Sequence, residues 1–218
     1  MQELSNALKQ KPIAYVAHDL ERALGLSLKT VGYFIISNNS VFAKKIAGDR
    51  SNVLLIDSER QLDTYELLER EETKKFLEKN KIKTILVFKS TIKIEKICSD
   101  NDWKLLNPSA ALANNVEEKV RGAAWLGDLE NLLPPHKIVI GEDLKWTGKK
   151  IIAQFNHAHT GNGTILIEDG ASLEEIRKKF PKREIKISKY IDGPVLTNNN
   201  VVWGEKILIG NISYQITG

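Results

Sequence analysis

Three short runs in the first half of the chain are apolar with almost no interruption: residues 30–36, 52–56 and 83–88, of which Tyr33-Phe34-Ile35-Ile36 is the densest stretch. A strand with one face in water alternates apolar and polar residues, so a strand without alternation must be covered on both faces. Polar turns close the first two runs, at Ser37-Asn38-Asn39 and at Asp57, and helical patterns lie between the runs. Residues 41–47 suit a short helix. Asp63-Thr64-Tyr65-Glu66 has the spacing of a capping box and opens a helix carrying Leu67, Leu68, Phe76 and Leu77. Ile94 and Ile97, three apart, suit the next helix. Doubly buried strands separated by helices specify a parallel sheet with helices on both sides, and the first half reads as α/β.

The second half changes character. Asn107-Pro108-Ser109 is a break, with Ser109 placed to cap a helical pattern over residues 110–133 that sets Val120, Ala124 and Trp125 on one face. Leu133-Pro134-Pro135 stops that helix, because proline cannot continue the backbone ladder. A β-rich stretch follows at residues 137–140, 150–155 and 164–167, interrupted by one helix that Ser172-Leu173-Glu174-Glu175 announces as a second capping box. Residues 184–191 alternate, with Ile185, Ile187 and Ile191 apolar, as a half-buried strand does. Residues 195–202 and 206–216 read as antiparallel strands, and the pattern is still a strand as the sequence nears Gly218.

Composition removes several classes of function. With 42% apolar and 28% charged residues, the 218-residue chain can bury a core, which excludes disorder. No window approaches the roughly 18 apolar residues of a membrane span, and Met1-Gln2-Glu3-Leu4 lacks the basic-then-apolar order of a secretory signal. The single cysteine, Cys98, cannot form an internal disulfide, which fits a reducing cytoplasm and makes the Asn-x-Ser/Thr matches at Asn38, Asn162 and Asn211 irrelevant. Next to Ile97 on an apolar helix face, Cys98 suits core packing rather than nucleophilic chemistry. The net charge of +4 is scattered as lysine and aromatics are only 7%, so no nucleic-acid stripe is present. His157 and His159 are too few for zinc, since only His18 and His136 remain.

The segment with most chemical content is residues 151–167: a strand, a small polar loop with Gly161 and Gly163, then a second strand. Small residues let backbone N–H groups line a concavity suited to phosphate oxygens. Because a strand follows the loop, neither the P-loop nor the dinucleotide fingerprint applies. Gly161-Asn162-Gly163 is equally ordinary turn chemistry, so by itself this segment leaves hairpin and phosphate loop open.

Order and spacing, however, resemble the ATP-grasp superfamily of carboxylate–amine ligases and carbamoyl phosphate synthase-like enzymes. The elements are the α/β preface, Asn115-Val116-Glu117-Glu118-Lys119, the exit at Leu133-Pro134-Pro135, the strand–loop–strand lid, and Ile187-Ser188-Lys189-Tyr190-Ile191-Asp192-Gly193-Pro194. The resemblance implies a Rossmann-like preface over residues 1–109 and a partial ATP-grasp domain over residues 110–218. The lid would cover about 137–185 and the hinge strand about 184–193. It further implies that Lys119 reaches the nucleotide phosphates from the helix. His159, Thr160, Gly161, Gly163 and Thr164 would cover them from the lid, and the backbone of Lys189, Tyr190 and Ile191 would hold the adenine edge.

The departures are specific. Gln154 stands where the superfamily usually has a second phosphate-binding lysine, offering a donor without charge. Ser188 replaces the usual hinge glutamate, and Val195 the acid expected at the ribose. Beyond Gly193 the only acidic residue is Glu205, too little for the carboxylate site that would hold Mg²⁺. The expectation is therefore the ATP-binding portion of a ligase of small-molecule carboxylates, part of a longer protein and inactive alone, with a homodimer left open. The alternative is a non-catalytic Rossmann-like and β-rich domain that binds a protein partner.

Overall fold

The computed structural model describes residues 2–120, 122–156 and 163–216. The chain forms two compact units that divide between Glu117 and Glu118. In the first, helix α1 (Gln2–Gln10) precedes strand β1 (Ile13–Ala17), and β2 (Tyr33–Asn38), α2 (Val41–Ala47) and β3 (Val53–Ile56) follow. Helices α3 (Thr64–Glu69) and α4 (Glu71–Lys79), strand β4 (Thr84–Val87), α5 (Ile92–Asp100), β5 (Lys104–Leu105) and α6 (Ala110–Glu117) complete it. All five strands are parallel, in the order β3-β2-β1-β4-β5. The three apolar runs are β2, β3 and β4, and they are covered on both faces as their composition requires. Ala14, Val16, Ile36 and Ile85 pack with Leu67, Leu77, Ile94 and Cys98 on one face; Tyr33 and Ile35 pack with Leu8, Leu20 and Ala43 on the other.

The central strand, β1, is absent from the sequence expectations. Its alanines are weak strand formers, and it holds its place by pairing with β2 on one side and β4 on the other. Gly32 also differs from expectation: it lies before β2, not inside it, with φ +79° and the Leu8 carbonyl 2.1 Å from where a Cβ would sit. Two asparagines, Asn38 buried and Asn107 half-buried, tie the strand ends together. Asn38 donates from Nδ2 to the His18 and Leu62 carbonyls, at 2.9 and 2.8 Å, and accepts from the Leu62 N–H. Asn107 makes both an acceptor and a donor bond with the backbone of Val87.

The helix expected over residues 110–133 is interrupted. It is α6 as far as Glu117, then a turn, then a 3₁₀ segment (Gly122–Leu132) kinked at Gly127, where φ is +53°. Trp125 is exposed rather than packed. The rest of the second unit is an antiparallel sheet of β6 (His136–Ile140), β7 (Ile151–Gln154), β8 (Thr164–Ile167) and β9 (Glu184–Lys189), in the order β6-β9-β7-β8, with α7 (Gly170–Lys179) between β8 and β9. Ala153, Phe155, Ile167, Ile185 and Ile187 pack with Leu173 and Ile176 of α7. The cap of helix α7 lies three residues before the expected Ser172: it is Asp169, which accepts from the Ser172 N–H at 2.7 Å. Gly141 comes so close to the Phe180 carbonyl that a Cβ would lie 2.0 Å from the oxygen. Strands β10 (Leu196–Trp203) and β11 (Lys206–Tyr214) form a separate two-stranded hairpin. Among the described residues no helix is long and apolar enough to cross a membrane.

Candidate functional site

In the second unit one face of the β6-β9-β7-β8 sheet is filled by α7; the other is open at its lid end, where Thr164 and Ile138 are exposed, and more covered toward the hinge, where Ser188 is buried. Strand alternation assigns the side chains: Ala153, Ile185 and Ile187 belong to the filled face, so Ile152, Gln154, Lys186 and Ser188 lie on the open one. Register then builds two rows across the sheet. Nearer the end of β9, Leu166, Ile152, Ser188 and His136 stand side by side; nearer the lid, Thr164, Gln154, Lys186 and Ile138 do. Residues within a row are about 5 Å apart and the rows about 7 Å apart. The row near the end of β9 thus sets apolar Leu166 and Ile152 beside polar Ser188 and His136, and the row near the lid sets three hydrogen-bond donors, Thr164, Gln154 and Lys186, beside Ile138.

The residues singled out from the sequence fall around this face unevenly. Gln154 is half-buried in it, and Thr164 opens β8 and is exposed. Gly163 is buried and its carbonyl accepts from the Phe155 N–H at 2.9 Å, closing the lid strands at their base. His159, Thr160 and Gly161, with His157 and Asn162, lie outside the described residues. Lys119 is half-buried in the turn after α6, not on the helix. The next residue, Val120, donates its N–H to Asn156 Oδ1 at 2.9 Å, which fastens that turn to the end of β7. At the hinge, two of the three N–H groups serve the sheet: Lys189 donates to the Pro135 carbonyl at 3.0 Å and Tyr190 to the Lys150 carbonyl at 3.4 Å. Ile191, which is exposed, makes no backbone hydrogen bond to another described residue. Val195 is exposed and Ser188 buried.

Asn156 and Lys186 were not singled out from the sequence. Alternation across β9 was the available signal for Lys186, since Ile185 and Ile187 flank it. A cavity of about 440 Å³, lined by Phe155, Asn156, Lys182, Arg183 and Glu184, opens at the lid end of β7 and β9. No group of three or more His, Cys, Asp or Glu that could hold a metal ion occurs among the described residues. Gln154, Lys186 and Thr164 on the open face are donors, which suits an anion.

The first unit has its own cavity, of about 410 Å³, at the C-terminal ends of β1 and β4. Strand order reverses there, which is where open α/β sheets form clefts. Its walls include His18, Arg22, Tyr65, Phe88, Lys89 and Thr91. The Arg22 guanidinium lies 4.1 Å from the centre of the exposed Phe88 ring and 3.5 Å from Asp19, and Lys93 stands 3.4 Å above Tyr65. Lys89 is ion-paired with Glu117. Sequence reading missed this cavity because β1, which delivers His18 to it, carries no strong strand signal.

No protein-family model and no curated protein matches the sequence. Solved structures do match. N5-carboxyaminoimidazole synthetase from Staphylococcus aureus superposes with a TM-score of 0.62 at 14% identity, over 96% of this chain and 56% of that one. Biotin carboxylase from Campylobacter jejuni, solved as a β,γ-ATP complex, gives 0.63 at 17%, over 94% of this chain and 51% of that one. The chain has the ATP-grasp fold. L-amino acid ligase from Bacillus licheniformis shares it too, with a TM-score of 0.54 at 16% identity, over 94% of this chain and 50% of that one. The likeness is one of fold, and the chain spans about half the length of these enzymes. The partial ATP-grasp architecture implied by the order of motifs is thus the architecture present.

Proposed function

We propose that this chain is the ATP-binding portion of an ATP-grasp-type carboxylate–amine ligase, acting in the cytoplasm, and that it is inactive alone. The observation that carries this reading is the open face of the second unit, with three donors in a row at its lid end and two aliphatic side chains nearer the hinge. A nucleotide has an apolar base at one end and a polyanion at the other. Ile152 and Leu166 near the hinge offer the base a floor, with the Ile191 N–H as edge donor. Gln154, Thr164 and Lys119 offer the phosphates donors at the lid end. In ligase chemistry of this type a carboxylate attacks the terminal phosphoryl group with ADP leaving, and an amine then captures the acylphosphate with release of phosphate. These residues would orient the polyphosphate and stabilise its charge. The carboxylate substrate is assigned to the cavity of the first unit, where Arg22 and Lys89 are the cations. The inactivity is proposed on the sequence, in which Glu205 is the only acidic residue beyond Gly193.

Calorimetric titration with Mg·ATP tests the reading. Wild type is expected to bind weakly, Lys119→Ala to bind roughly tenfold more weakly as a charge-assisted contact is lost, and Arg22→Ala to bind as wild type does. Absence of binding at millimolar nucleotide would defeat the proposal, and ATP hydrolysis or ligation by the purified chain would defeat its inactivity.

A second reading, a non-catalytic domain that binds a protein partner, is favoured by the β10–β11 hairpin. Val201, Val202, Ile207, Leu208, Ile209 and Ile212 are all exposed on it, and a lone hairpin is marginal in water. Without nucleotide binding, this reading stands.

A further inference from the structure

We infer that Lys186 supplies, from β9, the phosphate-directed charge that β7 lacks at Gln154. The inference rests on the nucleotide reading of the open face and assigns a residue that the resemblance does not. Where the superfamily usually sets a lysine, β7 has Gln154, and the register places Lys186 directly opposite it on the neighbouring strand. Both side chains stand on the open face, where directly opposed Cβ atoms are about 5 Å apart, so an ammonium group on a flexible four-carbon stem reaches much the same space from either strand. The charge has moved sideways by one strand.

The surroundings of Lys186 support this. It is half-buried between Gln154 on β7 and Ile138 on β6, and among the described residues it has no ion-pair partner. Lys74, Lys83, Lys96 and Lys150, by contrast, are each paired with a carboxylate at the surface. An incoming anion therefore meets a lysine that no carboxylate among the described residues already holds. The acid nearest on the same face, Glu184, lies two residues back at the strand entry and has an interaction of its own. Beside Lys186, Gln154 and Thr164 add neutral donors in the same row. A polyphosphate laid along this row meets one full charge flanked by hydrogen-bond donors. A monophosphate nucleotide, whose base is anchored near the hinge, does not extend as far.

The test is calorimetric titration of the full chain with ATP, ADP and AMP, comparing wild type, Lys186→Met and the transposed variant Gln154→Lys/Lys186→Gln. Thermal melts confirm that each variant is folded. Lys186→Met is expected to weaken ATP and ADP binding about tenfold and AMP less than threefold, and the transposed variant to recover ATP affinity to within about threefold of wild type. Lys186→Met binding ATP as tightly as wild type would overturn the assignment and leave the nucleotide site standing. Equal loss for AMP and ATP, or no recovery in the transposed variant, would trace the effect to strand packing and also overturn it. Failure of wild type to bind any of the three would overturn both the site and this inference.

Discussion

Cys98 is buried at 2% exposure among Ile94, Ile97 and the β4 side chains, and burial pushes its thiol up to about 11 from an ordinary 9.0. Ionisation is resisted in the folded chain and free in the unfolded one. The stabilisation is therefore fully present below pH 9 and is lost as pH rises toward 11. Tyr33 acts in the same direction at higher pH, its hydroxyl pushed up to about 12 by burial while it donates to the Ala23 carbonyl at 2.7 Å. Urea midpoints measured from pH 8 to 11 are expected to fall more steeply for wild type than for Cys98→Ala, and thiol reagents at pH 8 to label the folded chain slowly. Parallel pH profiles for the two proteins would contradict this account. Reading Cys98 as a packing residue needed only its neighbour Ile97 and the helical period. Asn38 and Asn107 gave no such signal. Their value lies in bonds to backbone groups remote in sequence, at His18, Leu62 and Val87.

Among the elements, helix starts were legible where local chemistry acts alone. The α3 capping box was visible in Asp63 and Glu66, and the Asp63 N–H donates to Glu66 Oε2 at 2.8 Å. At α7 two candidate caps competed. Ser172-Leu173-Glu174-Glu175 has the box spacing, but Asp169 accepts from the Ser172 N–H, and that bond holds its carboxyl below the usual range. The strand β8 ends at Ile167 and the chain turns at once, which favours the earlier cap. Asp169→Ala is expected to lower Tm by about 3 °C and Ser172→Ala by less than about 1 °C, as one lost cap would do in a chain of this size. The opposite order would restore Ser172 as the cap. In α6 the apolar pattern runs past the true end at Glu117, because the 3₁₀ segment that follows keeps a near-helical spacing.

For the molecule as a whole, the β10–β11 hairpin presents aliphatic side chains on both faces, and an open apolar surface of this kind attracts other apolar surfaces. An environment-sensitive apolar dye is expected to bind the chain, and Ile207→Thr/Ile209→Thr to reduce its fluorescence several-fold without shifting the main thermal transition. An unchanged dye signal would show that the strand is not the surface responsible. The sequence by itself determined the doubly covered strands β2, β3 and β4, the antiparallel character of the second half and the hairpin at its end. Apolar periodicity is a local property that water enforces residue by residue. Only the tertiary structure decided that β1 sits at the centre of its sheet, that His18, Arg22, Phe88 and Lys89 share a cavity, and that Lys186 stands beside Gln154. Those are matters of strand order and register, set by hydrogen bonds between segments far apart in the chain, and no window of sequence contains both partners.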